Sequence, residues 1–174
     1  MDIFNEIETR RSVKSYKLDA IEPEIIERVI KAGTYAPSVK NMQSPIIIAI
    51  TNREVRNNIS NILKQLRGGL AIDPFYDAPI VLVVLAKKEI PTYICDGSCV
   101  MENMLLEAHS LGLGACWIHH AKEVFETEYG KELLNKLGIN YNEYEGIGHC
   151  IIGCPKHKNM NIIPRKENYV YYVR

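Results

Sequence analysis

Three cations and a hydroxyl fall within five residues at Arg10, Arg11, Ser12 and Lys14. Arginine presents a planar fork that matches phosphate oxygens, and lysine a compact point charge. The set suits a terminal phosphate and a polar ring edge. A solvated cluster at a helix C-terminus, where the dipole favours cations, accounts for the same residues. A second segment, APSVKNMQSP at 36–45, gathers a stiff proline, a hydroxyl and two carboxamides. Carboxamides can meet both donor and acceptor edges of a heterocycle, although Pro, Ser and Asn also build ordinary turns. A third, GLGACWI at 112–118, has glycines that allow a tight turn and a close ligand approach. It leaves a helix and enters a strand, so it is not the GxGxxG of a dinucleotide fold. Its Trp117, the only tryptophan, reads equally well as core. Pro164-Arg165-Lys166 is a second small basic cluster, either a solvated tail or a further phosphate contact.

Metal chemistry is the weaker reading of His149, Cys150, Cys154 and His157, because the spacing lacks CxxC and Cys150 sits in an apolar run, GHCIIG. We therefore expect no metal. Cys95 and Cys99, one helical turn apart, read as core packing. Five cysteines without a basic and apolar leader argue against a disulfide framework and for a cytoplasmic protein. Lys plus Arg and Asp plus Glu both number 21, so the charge balance points to neither nucleic acid nor an anionic membrane. The apolar runs are too short to span a bilayer.

The chain's 174 residues are one domain's length, 1–174, and alternate helical and strand patterns. Helices are expected at 2–9 with Asp2 as N-cap, at 23–32 with Gly33 as the stop, and at 53–67 before Gly68-Gly69. Strands are expected at 45–51, 79–86, 115–119 and 147–153. Residues 94–111 form a helix apolar nearly all round, which belongs in a core or an interface. One or two helices occupy 122–137, and the run 169–173 can add an edge strand. The class is α/β (α+β) around a central sheet.

Taken together, RRSVKSY at 10–16, APSVKNMQSP at 36–45, the 94–111 helix with Asp96, the run MLLEAHSLGLGACWI at 104–118 and PRK at 164–166 resemble the nitroreductase family of flavoenzymes. The resemblance implies a mixed or antiparallel sheet flanked by helices, in an intertwined homodimer with FMN at the interface. It implies that Arg10, Arg11 and Ser12 hold the phosphate and ribityl chain, and that Lys14 sits by the N1/O2 edge of the ring. Pro37, Ser38, Val39 and Asn41 would come from the second subunit. The backbone from Trp117 and Ile118 to His120 would face N5/O4, and Arg165 with Lys166 would return to the phosphate. The implied activity is ping-pong hydride transfer from NAD(P)H through the flavin to a small electron-poor acceptor, of nitroaromatic or quinone type. The chemistry is mainly the cofactor's.

The chain departs from the family at His119-His120, where relatives often carry Gly or Glu-Gly. A histidine there can narrow the pocket or hand a proton to the acceptor near neutral pH, unless only its backbone faces the ring. The segment 67–78, RGGLAIDPFYDA, is brief where longer relatives carry helices. No CxxCxxC cluster is present in these residues, so no attached ferredoxin module is expected. Rival readings are reductive dehalogenation or flavin fragmentation on the same cradle, and a flavin-binding or redox-sensing protein with little turnover.

Overall fold

The apolar runs of the sequence become the centre of an antiparallel sheet in a computed structural model, which describes residues 2–157 and 161–174. The order is α1 (Ile3–Thr9), α2 (Pro23–Thr34), a 3-10 turn (Val39–Asn41), β1 (Ile46–Ile50), α3 (Arg53–Leu66), β2 (Ile80–Lys87), α4 (Tyr93–Ser110), β3 (Gly114–Ile118), α5 (Ala121–Glu126), α6 (Glu128–Lys136) and β4 (Tyr144–Gly153). The strands lie β1-β2-β4-β3, every neighbour antiparallel. A bulge at Val84/Leu85 breaks the β2–β4 register. Among the described residues, no helix is long and apolar enough to cross a membrane.

Every residue of β2 from Ile80 to Ala86 is buried, so both faces of the sheet need cover. On one face Val81, Val83 and Leu85 pack with Ile59 and Leu63 of α3, Val124 and Phe125 of α5 and Leu134 of α6. On the other, Leu82, Val84 and Ala86 pack with Val29 of α2 and Val100, Met101 and Met104 of α4. Helix starts follow the sequence: Asp2 accepts from the Phe4 N–H, Asn52 from Val55 and Thr127 from Gly130.

Several expectations change. Gly33 does not stop α2; it is buried inside it, and a Cβ there would lie 2.9 Å from both Ile47 Cδ1 and Met104 Cγ. The glycine is a close packing contact of α2 against β1 and α4. The run 169–173 forms no strand and is exposed, as is all of 161–174. Ile3, Phe4 and Ile7 of α1 are exposed as well, and so are Ile94 and Cys95 at the start of α4. Cys95 is therefore surface, not core. This single chain covers only one side of the apolar helix α4.

His149 and Cys150 are neighbours on β4 and so point to opposite faces of the sheet. His149 stacks 5.3 Å from the Phe75 ring, whereas Cys150 joins the α4 side. The pair cannot ligate one ion. The His149 Nδ1 lies 3.3 Å from the Ile118 carbonyl, and its Nε2 has no partner among the described residues. Burial lowers the His149 pKa from about 6.5 to about 4, against the backbone contacts to Ile118 and His119. The sign follows from linkage. Between those values the unfolded chain binds the extra proton, so stability is full above pH 6.5 and falls as pH drops towards 4. His149→Phe keeps the ring and removes the titration. Its urea-unfolding free energy should fall less between pH 7.5 and pH 5 than that of the wild type, by roughly 2 kcal/mol. Equal falls in both proteins would remove His149 as the acid-sensitive core group.

Candidate functional site

The RRSVK and GLGACWI motifs meet because residues 12–17 run along the free edge of β3. Ser12 bridges Ala115, and the Val13 N–H donates to the Ala115 carbonyl at 3.0 Å. Gly114 admits this approach: a Cβ there would lie 2.8 Å from Val13 Cγ1. The Tyr16 hydroxyl donates to the Val13 carbonyl at 2.6 Å, and the Lys17 N–H to the Cys154 carbonyl at 2.8 Å, which pins the segment between β3 and the end of β4. Arg10, Ser12 and Lys14 then surround Cys116. Burial pushes the Cys116 thiol up, and the Ser12 hydroxyl and the Lys14 and Arg10 charges only partly oppose this, so the thiol stays protonated.

Ser12, Lys14, Trp117, Ile118, His119 and His120 line one cleft of about 300 Å³, together with Cys116, Arg67 and Tyr76. The Trp117 indole crosses β4 at Gly148, where a Cβ would lie 2.5 Å from Nε1. Gly146 lets β4 pass close to the Ala121 backbone, where a Cβ would lie 2.4 Å from the carbonyl carbon, and this contact seats the start of α5. His120 heads that helix in the left-handed region, φ 69°. Its ring lies 4.9 Å from that of His119, and its Nδ1 is 3.3 Å from Glu123 Oε1. Burial pushes the Glu123 carboxyl up, but its own backbone N–H and His120 outweigh this and hold it below the usual range. His119 is exposed and His120 half-buried. A second cleft of about 350 Å³ shares Trp117, His119 and His120 and adds Tyr93, Lys122 and Glu145.

The other candidates lie apart. Arg11 donates from Nη1 to the Glu8 and Arg10 carbonyls at 2.7 and 2.5 Å, so half of its fork caps α1. Its Nη2 is buried without a partner among the described residues, leaving a donor for a phosphate oxygen. Arg10 pairs loosely with Glu102 at 3.8 Å. Arg165 and Lys166 are exposed in the tail, and neither lines the cleft. The tail does pass the basic cluster, since Arg11 Nε donates to the Asn161 carbonyl at 3.4 Å. Pro37 and Ser38 line a different groove, of about 390 Å³, beside Val100 of α4. The Val39 N–H points at the buried Asp96 carboxylate, 3.4 Å from each oxygen. Ser38 Oγ accepts from the Gln43 N–H, and Asn41 Oδ1 from Gln43 Nε2.

Arg67, Asp73 and Tyr76 escape the sequence reading. Tyr76 and Asp77 both have left-handed φ, 52° and 61°. They are held there by Asp73, which accepts from the Phe75 and Asp77 N–H groups, from Ser60 Oγ and from Arg56. Burial pushes the Asp73 carboxyl up, but Arg56, Ser60 and the two N–H groups outweigh it and hold it below the usual range. The clip sets Tyr76 beside Lys14, whose Nζ lies 5.8 Å from the ring centre. The signal in the sequence is DPF, an aspartate poised to bond the N–H two residues on.

The nitroreductase family pattern matches residues 7–154. The chain belongs to the nitroreductase family. A protein of Methanothermobacter thermautotrophicus, provisionally named NADH dehydrogenase/NAD(P)H nitroreductase, is 32% identical over 121 residues. That match takes in 67% of this chain but only 60% of the relative's length. A nitroreductase with bound FMN from Bacteroides fragilis superposes with a TM-score of 0.88 over 100% of both chains at 23% identity. An FMN-dependent nitroreductase from Clostridium difficile gives 0.80 over 98% of this chain and 99% of its own, at 25% identity.

The Asp73 clip is open to test. Asp73→Asn leaves the buried Arg56 guanidinium without its counter-charge and should cost roughly 3 kcal/mol in urea unfolding. The loss should shrink as pH falls below about 4, where the Asp73 carboxyl of the unfolded wild-type chain takes up a proton that the folded one resists. Segment 67–78 should become the first site of proteolytic nicking. A variant as stable as the wild type, with unchanged cleavage, would show that the turn holds itself.

Proposed function

We propose that the protein is an FMN-dependent oxidoreductase that takes hydride from NAD(P)H and delivers it to a small electron-poor acceptor. The observation that carries this reading is the convergence of Ser12, Lys14 and the 117–120 turn on one cleft in a member of this family. Bound there, FMN would supply the hydride-accepting ring. The residues fit the group: Arg10 and the unpartnered Nη2 of Arg11 would hold the phosphate, with Arg165 and Lys166 of the tail returning to it. Ser12 would bond the ribityl chain. Lys14 would place positive charge against the N1/O2 edge, favouring the ring once it carries negative charge. The cleft is small, so one stacking slot would serve nicotinamide and acceptor in turn, which makes the cycle ping-pong. His120, with Glu123 beside it, is placed to give a proton to the acceptor, with His119 at the rim.

The working unit in this reading is a homodimer. Pro37, Ser38, Val39 and Asn41 lie away from their own chain's cleft and would cover the flavin of the partner. The uncovered apolar residues of α1, the start of α4 and the tail support the same assembly.

The decisive observation is cheap. Purified protein should be yellow, should bleach anaerobically with NADH or NADPH, and should release FMN, not FAD, on denaturation. Colourless protein that takes up no FMN would end the proposal. Roles divide by variant: Arg10→Ala should weaken FMN binding by about one to two decades, the value of one charged hydrogen bond. Lys14→Ala should instead lower the flavin potential and slow its reduction while largely keeping the cofactor. Equal effects of both changes on both quantities would overturn the assignment.

A further inference from the structure

Arg67, the residue that ends α3, lines the flavin cleft with Lys14, Tyr76, His119 and His120, and no carboxylate lines it. Some cations elsewhere are paired, Arg28 with Glu107, Arg56 with Asp73, Lys122 with Glu145 and Lys131 with Glu128, and many others stand on open surface without a partner among the described residues. Neither Lys14 nor Arg67 forms an ion pair among the described residues. What sets Lys14 and Arg67 apart is their place: two cations share one concavity whose lining, among the described residues, holds no carboxylate. There, low-dielectric walls focus the field. Lys14 is turned to the Tyr76 ring. Arg67 is exposed, and it is followed by Gly68 and Gly69 at φ 78° and 81°.

We propose that Arg67 is a specificity-determining residue that reads an anionic group, phosphate or carboxylate, on the small molecule exchanging hydride in this cleft. The inference rests on the flavin reading above and names the substrate class it left open. Two sources carry that chemistry: the 2′-phosphate that distinguishes NADPH from NADH, and an acidic substituent on the acceptor. Arginine suits either, because its fork binds both oxyanions in bidentate fashion.

The test uses flavin-loaded wild type, Arg67→Gln and Arg67→Lys with two matched pairs, NADPH against NADH and 4-nitrobenzoate against nitrobenzene. In Arg67→Gln the member of one pair that carries the extra anionic group should lose about tenfold in kcat/KM while its mate lacking that group stays within about twofold. Arg67→Lys should recover part of the loss, and the wild-type preference should shrink as salt rises. Loss confined to NADPH identifies the nucleotide as the source, and loss confined to 4-nitrobenzoate the acceptor. Flavin content should match wild type in both variants. Titration calorimetry with adenosine 2′,5′-bisphosphate against adenosine 5′-monophosphate, and with 4-nitrobenzoate, reads the same contact without turnover. Wild type that binds an anionic probe through Arg67 yet holds no flavin would sink the flavin reading alone. Losses shared by both members of each pair, or no loss in any, would overturn the role of Arg67.

Discussion

β2 has no face that can meet water. Its side chains from Ile80 to Ala86 are all buried, and it lies between β1 and β4. That constraint demands cover on both faces, which α2 with α4 and α3 with α5 and α6 provide. The cover is tight enough that a Cβ at Gly33, Gly97, Gly146 or Gly148 would meet a neighbour at 2.4–2.9 Å. A ligand of any size cannot enter between sheet and helices at such density. It has to bind at the margin, and the margin carrying polar groups is the outer edge of β3 with the turn that follows it.

The elements were legible because period and composition report burial. A run such as IVLVVLA must be covered whatever covers it. What period cannot report is which neighbour arrives. Gly33 looks like a helix stop because glycine commonly is one; here its missing side chain is the space into which Ile47 and Met104 pack. The apolar tail run looked like a strand because its residues favour one, but a strand needs an edge to join. The site was half legible for the same reason. RRSVK and GLGACWI each carry their chemistry locally and were visible as motifs, and the family resemblance implied that they meet. Arg67 and Tyr76 gain meaning only when the Asp73 clip brings segment 67–78 to Lys14, a long-range event that no local pattern spells out.

The non-glycine residues in left-handed conformation among the described residues fall in three places: 40–43, 76–77 and 120. Each is disfavoured by about 1 kcal/mol or more and persists only where surroundings over-determine it. The surroundings differ. Asp73 holds the second through four partners; Ser38 and Asp96 hold the first; β3 and α5 clamp the third from both sides. Left-handed residues at the margins of the two clefts and of the separate groove, and none in the core, fit walls shaped for a ligand more than for stability.

The turn at 117–120 shows how such a wall can serve two tasks. Its backbone is fixed from behind: Ile118 pairs with His149 on β4, Gly146 seats the Ala121 backbone, and the His120 carbonyl accepts from the Val124 N–H to begin α5. Side chains on that turn can therefore change without moving the backbone amides. In the proposed reading, hydride transfer would depend on backbone geometry, which would set distance and angle to the ring. Choice of acceptor depends on the side chains that fence the opening. With His119 and His120 shared by both clefts, and Arg67 on the near wall, selection would reside in groups that the sheet does not need. On that reading the fold would separate what must stay constant for the chemistry from what can vary to choose its substrate.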